Sequence, residues 1–403
     1  PPNDPYWLSG SLWGMERIQV QEPWQELALL NDPTVVVASI DTGVNYNNPD
    51  LAASMWHNPG EIPGNGIDDD GNGYIDDVYG IDTYNHDSDP IDDYGHGTHT
   101  AGTMAATGNN GIGVAGVHWR AQIIACKFIS AQDEGTDAGA IECLNYLIAL
   151  KQRGVNIRVT NNSWGDARDL NAEYPAALQA AFAAATDAGM LNFCAAGNYA
   201  HNNDAIPFDP ATFPIDGIVA LAASDESDNR AYFSNYGATS VDFAAPGTST
   251  LSTMGGDYGY LSGTSMATPH AAGSAALIAE FHPEFSPLTL KSLLMGNVDV
   301  LPQWSGLTAT GGRLNLARAF AAAAQLETTL QIISVSQPSA HEFQITWVAV
   351  PGGTYRVSSA ASPAGPFTPL SDPITAGAGQ TSESYTDANA DGPARFYRVE
   401  LVP

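Results

Sequence analysis

The segment VVVASIDTG, residues 35–43, decides the fold class of this chain. Its first six residues are apolar or small and mostly β-branched, which is typical of a parallel strand buried on both faces. Similar segments recur at residues 122–129, 156–161, 190–196 and 217–223. They alternate with Ala-rich helical stretches, for example at residues 176–188 and 267–281. The sequence therefore predicts a doubly wound α/β fold with a mostly parallel sheet and helices on both faces.

Two changes in composition divide the chain further. Residues 58–93 are rich in Asp, Gly, Asn and Pro, so they are too polar for a core and predict an insertion. After a predicted helix at residues 314–325, short strands are predicted at residues 330–335, 343–348, 355–359 and 396–401. We expect a first domain of residues 1–326 and a small all-β sandwich domain, of the fibronectin type III kind, at residues 327–403.

The charge balance limits the classes of partner. The 403 residues include 14 Lys and Arg against 44 Asp and Glu, a formal net charge of −30. Such a chain repels the phosphates of nucleic acids and of anionic membrane surfaces. Its apolar stretches are also far shorter than the roughly 20 residues of a membrane helix. We expect neither nucleic acid nor a membrane as a partner.

The first residues and the cysteines bear on processing. The sequence begins Pro1-Pro2-Asn3 without an initiator Met or an apolar leader, so we expect that a signal peptide and a propeptide have been removed. Three cysteines, at positions 126, 143 and 194, are too few for a disulfide framework and are expected to be buried thiols. The cysteine count alone does not decide the compartment.

Three short segments supply the groups needed for nucleophilic catalysis. They are DTG at residues 41–43, GHGTH at residues 95–99 and GTSMATP at residues 263–269. A serine hydroxyl is a weak nucleophile unless an imidazole takes its proton, and a buried carboxylate orients and stabilises that imidazole. Asp41, His96 and Ser265 fit these three roles.

Two further features belong to this set. Asn198 ends the segment AAGN, which follows an apolar strand, so its amide should project at the carboxyl edge of the sheet. Together with the backbone N–H of Ser265 at a helix N-terminus, it can stabilise negative charge on a carbonyl oxygen under attack. Pro269 is expected in the first turn of its helix, where a missing N–H is tolerated. His99 and His270 are expected to be structural.

These motifs, in the order Asp, His, Ser, resemble those of the subtilisin family of serine endopeptidases, close to its thermitase branch. The resemblance covers about residues 1–325. It implies hydrolysis of peptide bonds through an acyl-enzyme on Ser265, with His96 as general base, Asp41 orienting His96, and Asn198 in the oxyanion hole. It also implies a set of substrate-binding residues, which are Ser163, Trp164, Gly165 and Gly135.

Calcium is the expected cofactor, at two or more structural sites. Residues 68–77, DDDGNGYIDD, resemble the first half of an EF-hand loop, although Tyr79 stands where the bidentate Glu would complete it. The predicted ligands are Asp68, Asp70, Asn72, Tyr74, Asp76 and Asp77. A solvated acidic turn is the alternative. The resemblance to thermitase implies a second site, with the side chains of Asp4, Asp50 and Asn110 and the backbone carbonyls of Thr107, Ile112 and Val114.

The sequence thus predicts a secreted, monomeric, calcium-stabilised serine endopeptidase that acts on proteins and peptides. An inactive chain of the same fold, binding through its β-sandwich, is the alternative, and the complete catalytic set argues against it. An esterase of the α/β-hydrolase kind is disfavoured because the G-x-S-x-G elbow is absent. An acidic sedolisin-type peptidase would have Glu in place of His96.

Overall fold

The computed structural model describes residues 2–30, 34–168, 175–329, 332–339, 341–349, 354–363, 365–376, 382–388 and 395–402. Its α-helices are α1 Pro5–Leu8, α2 Trp13–Arg17, α3 Gln21–Leu27, α4 His96–Ala105, α5 Asp137–Gln152, α6 Ala176–Asp187, α7 Thr264–Phe281, α8 Pro287–Gly296 and α9 Leu316–Thr329. Short 3₁₀ helices lie at Ala52–Ser54 and Pro302–Trp304.

The strands alternate with these helices through most of the chain. They are β1 Val36–Asp41, β2 Gly80–Asp82, β3 Gln122–Lys127, β4 Ile157–Asn162, β5 Asp166–Ala167, β6 Leu191–Ala195, β7 Phe208–Asp209, β8 Ile218–Ser224, β9 Phe243–Pro246, β10 Thr250–Met254, β11 Asp257–Leu261, β12 Asp299–Val300, β13 Gly312–Arg313, β14 Ile332–Ser339, β15 Glu342–Val348, β16 Thr354–Ala360, β17 Thr368–Pro369, β18 Ile374–Thr375, β19 Ser382–Asp387 and β20 Phe396–Val402.

The main sheet has the order β12-β13-β9-β8-β6-β4-β1-β3-β2. Its described pairings are parallel except that of β12 with β13. Every residue of β1 is buried, as its continuous apolar run predicts. The predicted doubly wound, mostly parallel α/β fold is therefore confirmed.

The arrangement around β1 determines where a ligand can bind. Strand β1 pairs with β3 on one side and with β4 on the other, so the strand order reverses at β1. Ligands of open α/β sheets bind at the carboxyl ends of the strands beside such a reversal. Helix α7 packs on β4, β6, β8 and β9, whereas the core around α5 and α6 includes Leu144, Leu147 and Phe182.

Helix α7 begins at Thr264, which places Pro269 sixth in the helix rather than in its first turn. The expectation for Pro269 is therefore wrong. Because proline has no N–H, the carbonyl oxygen of Ser265, four residues earlier, lacks its partner within the helix. The hydroxyl of Ser163, directly after β4, donates to that oxygen at 2.8 Å and replaces the missing hydrogen bond.

The chain divides into two compact units, Pro1–Ala319 and Phe320–Pro403. The division falls within α9, before the boundary expected after residue 326. In the second unit, β14, β15 and β19 form one antiparallel sheet, and β16 pairs antiparallel with β17, β18 and β20. The predicted strands at 343–348, 355–359 and 396–401 correspond to β15, β16 and β20. Residues 330 and 331 of the first predicted strand lie outside the described residues.

The core of the second unit consists of apolar side chains from its strands. Trp347 of β15 and Tyr355 of β16 are fully buried, with their ring centroids 5.8 Å apart. Val357 and Val399 are buried with them. In the first unit, Cys126, Cys143 and Cys194 are buried free thiols, as expected. Over the described residues, no helix combines the length and the apolar character needed to cross a bilayer.

Candidate active site

The carboxylate of Asp41 and the imidazole of His96 meet at the reversal of the strand order. Asp41 is the last residue of β1, and His96 is the first residue of α4. Nδ1 of His96 lies 2.7 Å from Oδ1 of Asp41, which is fully buried. Gly97 permits this approach, because a Cβ at that position would overlap the carbonyl oxygen of Gly43.

Asp92 holds the start of α4 on the end of β1. Its Oδ1 accepts hydrogen bonds from the hydroxyl of Thr42 at 2.9 Å and from the N–H of Gly95 at 2.8 Å. Its Oδ2 accepts from the N–H of Thr98 at 2.8 Å. A carboxylate at a helix N-terminus satisfies N–H groups that have no partner within the helix. Asp92 was not among the predicted site residues, and its spacing of four residues before His96 was the available signal.

Lys127 is a second residue that the sequence analysis missed. It ends β3 beside Asp41 and is almost fully buried. Its Nζ donates to the carbonyl oxygens of Thr42 and Ile129, both at 2.8 Å, and to Oδ1 of Asp93 at 2.7 Å. A buried ammonium needs such partners. Lys127 therefore ties the ends of β1 and β3 to the segment that leads into α4.

Ser265 is the second residue of α7 and forms a reciprocal pair with Ser163. Oγ of Ser265 donates to the carbonyl oxygen of Ser163 at 2.9 Å, and Oγ of Ser163 donates to the carbonyl oxygen of Ser265 at 2.8 Å. Ser265 and His96 line the same cleft. The backbone N–H of Ser265 belongs to the first turn of α7, where N–H groups lack helical partners.

The amide of Asn198 is oriented by Thr264. Its Oδ1 accepts from the N–H of Thr264 at 2.9 Å and from the hydroxyl of Thr264 at 3.0 Å. These two bonds assign the oxygen to the side of α7 and leave Nδ2 to donate into the cleft. Asn198 and Ser265 both line this cleft.

The cleft has a volume of about 920 Å³. The residues predicted to bind substrate all line it, namely Ser163, Trp164, Gly165 and Gly135. The ring of Trp164 packs on that of Phe128 with the centroids 4.8 Å apart. Carboxylates of Asp133, Asp137 and Asp166 also lie along the walls. The cleft therefore combines apolar surface with negative charge.

Opposing effects act on the pKa of His96. Burial of the imidazole lowers this pKa, whereas the charge of Asp41 and its hydrogen bond raise it, together with smaller contributions from Asp133 and Asp92. The net pKa of His96 is raised. By contrast, burial lowers the pKa of His99 and of His270 to about 4, so both are neutral at pH 7, as their expected structural roles require.

Residues 32–322 match the sequence pattern of the protein family described as the Subtilase family. The chain belongs to the subtilase family. The resemblance inferred from its motifs is thereby confirmed.

Relatives of this subtilase include proteases of protozoa and bacteria. Subtilisin-like protease 1 of Plasmodium vivax is 31% identical over 327 residues, covering 76% of this chain and 50% of that protein. Thermitase of Thermoactinomyces vulgaris is 33% identical over 279 residues, covering 69% of this chain and 85% of thermitase. A solved protease structure from Pseudoalteromonas arctica has a TM-score of 0.63 at 27% identity, covering 80% of this chain and 99% of that one. The chain spans about half the length of the Plasmodium relatives it matches.

The acidic loop of this subtilase gathers some of its predicted ligands. Carboxylate oxygens of Glu61, Asp70 and Asp77 lie within 4.8 Å of one another. The amide of Asn72 donates to Asp77 at 2.9 Å. Burial raises the pKa of Asp77, although several hydrogen bonds oppose the shift. Glu61 was missed because it precedes the repeating pattern by seven residues and joins the cluster only when the loop folds back.

The side chains of three other predicted ligands in this loop form hydrogen bonds outside this cluster. Asp68 accepts from the backbone N–H groups of Asn72 and Gly73, and Asp76 accepts from those of residues 65 and 66. The hydroxyl of Tyr74 donates to Glu142 at 3.3 Å. The structure thus brings together Asp70, Asn72 and Asp77 but directs the side chains of Asp68, Tyr74 and Asp76 elsewhere.

The second predicted calcium site is assembled from three separate segments. Asp4 and Asp50 are fully buried, and Oδ1 of Asp50 accepts from the amide of Asn110 at 2.7 Å. The residues predicted to supply backbone carbonyls are tied to this cluster through their N–H groups: those of Thr107, Ile112 and Val114 donate to Asp50 O, Asn110 Oδ1 and Asp50 Oδ2. Burial raises the pKa of both carboxyls, and Asp4 raises that of Asp50 further.

Replacing Asp133 by Asn should lower the pKa of His96. The charge of Asp133 favours the imidazolium form, so its removal makes His96 lose its proton at lower pH. Asparagine tolerates the positive φ of 64° at this position. NMR titration of the imidazole, assigned with His96→Ala, measures the change. Asp187→Asn, on the exposed end of α6, is the matched control and should leave this pKa unchanged. An unchanged or higher pKa in Asp133→Asn would contradict the assignment.

Proposed function

We propose that this subtilase is a serine endopeptidase that hydrolyses peptide bonds through an acyl-enzyme on Ser265. The observation that carries the proposal is the buried Asp41–His96 hydrogen bond of 2.7 Å, opening into a cleft that Ser265 and Asn198 also line. These groups supply a carboxylate, a base, a nucleophile and an oxyanion donor. Membership in the subtilase family supports the same activity.

In the proposed reaction, His96 takes the proton of the Ser265 hydroxyl as Oγ attacks the substrate carbonyl. The hydroxyl turns from the carbonyl oxygen of Ser163 toward His96 when substrate binds, since catalytic hydrogen bonds often align only in the complex. Asp41 stabilises the imidazolium, and His96 then protonates the leaving nitrogen. Nδ2 of Asn198 and the N–H of Ser265 bind the developing oxyanion. Water attacks the acyl-enzyme in the second half of the reaction.

Two features favour a peptidase over a binding module of the same fold. A buried carboxylate that holds an imidazole at an open cleft is costly to maintain and has a direct use in catalysis. The cleft also runs between the chain segments at Ser163–Gly165 and Asp133–Gly135, an arrangement that suits an extended peptide. Proteins and peptides are therefore the proposed substrates.

Ser265→Ala should abolish hydrolysis of casein and of peptide substrates while leaving the fold intact. The residual rate should be below about one part in 10⁴ of the original, because triad members act as a unit. Asn198→Ala should reduce kcat by about 10²–10³-fold, a loss known for one such donor in subtilisin. Ser274→Ala, a buried hydroxyl on the same helix that donates to His270, is the control and should retain activity. Substantial turnover by Ser265→Ala would refute the mechanism.

We also propose that calcium stabilises this subtilase at both acidic clusters. The donors are carboxylate, amide and backbone oxygens, which calcium prefers. Asp4 and Asp50 are fully buried, and no ion pair joins either of them to a cationic side chain within the described residues. Bound calcium would supply the missing positive charge. At the loop, Glu61, Asp70 and Asp77 are the proposed carboxylate ligands. A location outside the cell, where calcium sites of modest affinity operate, accords with this requirement.

Chelation with EDTA should lower the melting temperature and leave the initial rate of hydrolysis nearly unchanged. Each site occupied at a hundred times its Kd contributes about 2.7 kcal/mol to the free energy of unfolding. Asp70→Asn should reduce the effect of EDTA without removing it, because the site at Asp4 and Asp50 remains. Asp68→Asn is the control: its NH2 group cannot accept one of the two backbone N–H hydrogen bonds, so it should melt lower while keeping the full EDTA effect. An unchanged melting temperature in EDTA, with no calcium by metal analysis, would refute the proposal.

We propose that residues 1–326 form the catalytic domain and residues 327–403 a β-sandwich domain. The β-sandwich is not needed for peptide hydrolysis, because the proposed catalytic groups all precede it. Deleting residues 330–403 keeps α9 complete and should leave kcat/KM for a small peptide amide within about threefold of the full chain. The same deletion in Ser265→Ala is the inactive control. A truncated chain that folds but loses this activity would refute the division. The removed propeptide and the monomeric state stay predictions.

A further inference from the structure

The cleft contains a gap beside Ser265 between two chain segments. These are Ser163–Gly165 and Gly197–Asn198, which continue from the neighbouring parallel strands β4 and β6. Both segments line the cleft together with Ser265. A substrate side chain that follows the surface from the nucleophile must enter between them.

The ring of Phe208 closes this gap from below. Its Cε1 edge faces Gly165, where an added Cβ would lie 2.6 Å away, and its Cε2 and Cδ2 edge faces Gly197, where an added Cβ would lie 2.9 and 2.8 Å away. The two glycines therefore admit the ring between the segments. Phe208 is only 4% exposed, yet it lines the cleft, and its backbone pairs with Ala167 in the β5–β7 ladder. The ring is thus held on several sides.

The position of the leaving group relative to Ser265 identifies the substrate residue whose side chain enters the gap. His96 must protonate the leaving nitrogen, so the leaving part of the substrate lies on the His96 side of Ser265. The acyl part then extends toward Asn198 and the gap. We propose that Phe208 is the floor of the subsite for the residue that donates the scissile carbonyl, and that it restricts this residue to small, uncharged side chains such as Ala, Ser and Gly. This inference rests on the proposed peptidase function.

The charged residues next to Phe208 agree with a subsite that takes an uncharged side chain of the substrate. Asp209 lies next to Phe208, but both of its carboxylate oxygens bind Arg168, at 2.6 Å to Nε and 2.6 Å to Nη2. The hydroxyl of Thr212 donates to the same carboxylate at 2.7 Å. A carboxylate satisfied in this way does not attract a lysine or arginine of the substrate.

The test uses peptide amides that differ only in the residue before the scissile bond, namely Ala, Leu, Phe and Lys. For the wild-type chain, we expect kcat/KM to be at least about 100-fold higher with Ala than with Phe or Lys, because side chains that do not fit are excluded sterically. In Phe208→Ala, the ratio of kcat/KM for the Phe substrate to kcat/KM for the Ala substrate should rise at least about tenfold. Phe208→Leu, a smaller change in volume, should give an intermediate ratio and covers the case in which Phe208→Ala does not fold.

Phe213→Ala is the matched control. This phenylalanine is equally buried and packs on Phe182 at 6.1 Å between centroids, away from the gap. It should lower the melting temperature without changing the ratio of Phe to Ala hydrolysis. Labelling of Ser265 by a small fluorophosphonate tests the proposed peptidase function separately from the role of Phe208. A labelled wild-type chain that cleaves after Phe, Leu or Lys as well as after Ala would overturn the role of Phe208 and leave the peptidase function standing. A folded chain that is neither labelled nor active on any substrate would refute both.

Discussion

The hydrogen bond between Asp41 and His96 imposes the constraint on which the rest of the site depends. Asp41 is fully buried, and a buried carboxylate is stable only when hydrogen-bond donors compensate for its lost hydration. One donor is His96, so the first residue of α4 must reach the last residue of β1. Gly97 permits that contact, Asp92 holds the helix start in place, and Lys127 fixes the strand ends behind it. The geometry of the proposed catalytic pair is therefore a consequence of one strand–helix junction.

The fold and the groups lining the cleft could be predicted because each depends on local pattern. A continuous apolar run predicts a buried parallel strand, and parallel strands bring polar residues after their carboxyl ends to one edge. Asp41 and Asn198 lie at that edge for this reason. Asp92 and Lys127 were missed because each links its own neighbourhood to Thr42 at the end of β1, a contact between distant segments that residue spacing does not reveal. Pro269 was misplaced because the start of α7 depends on its packing rather than on the proline itself.

The acidic loop shows a different limit of sequence reasoning. Alternating carboxylates suggest that all turn toward one cation, but the glycine-rich turns between them leave backbone N–H groups that also need acceptors. Asp68 and Asp76 satisfy such groups, whereas Asp70 and Asp77 remain in the cluster. Glu61 joins them because the loop returns close to its own beginning, a closure that no local pattern encodes. Glu61 also accepts the N–H groups of residues 69, 70 and 76, so the closure of the loop as well as its turns decides which carboxylates converge.

Ser163 joins the position of the nucleophile to the shape of the cleft. Its hydroxyl replaces the helical hydrogen bond that Pro269 cannot make, and its carbonyl accepts the hydroxyl of Ser265. The same chain segment continues to Gly165 and forms one wall of the gap above Phe208. A shift of this wall would therefore move an acceptor of the Ser265 hydroxyl as well as the boundary of the proposed subsite. The backbone of Phe208 pairs with β5, which follows directly on Gly165, so the proposed floor and this wall are held together through one stretch of chain.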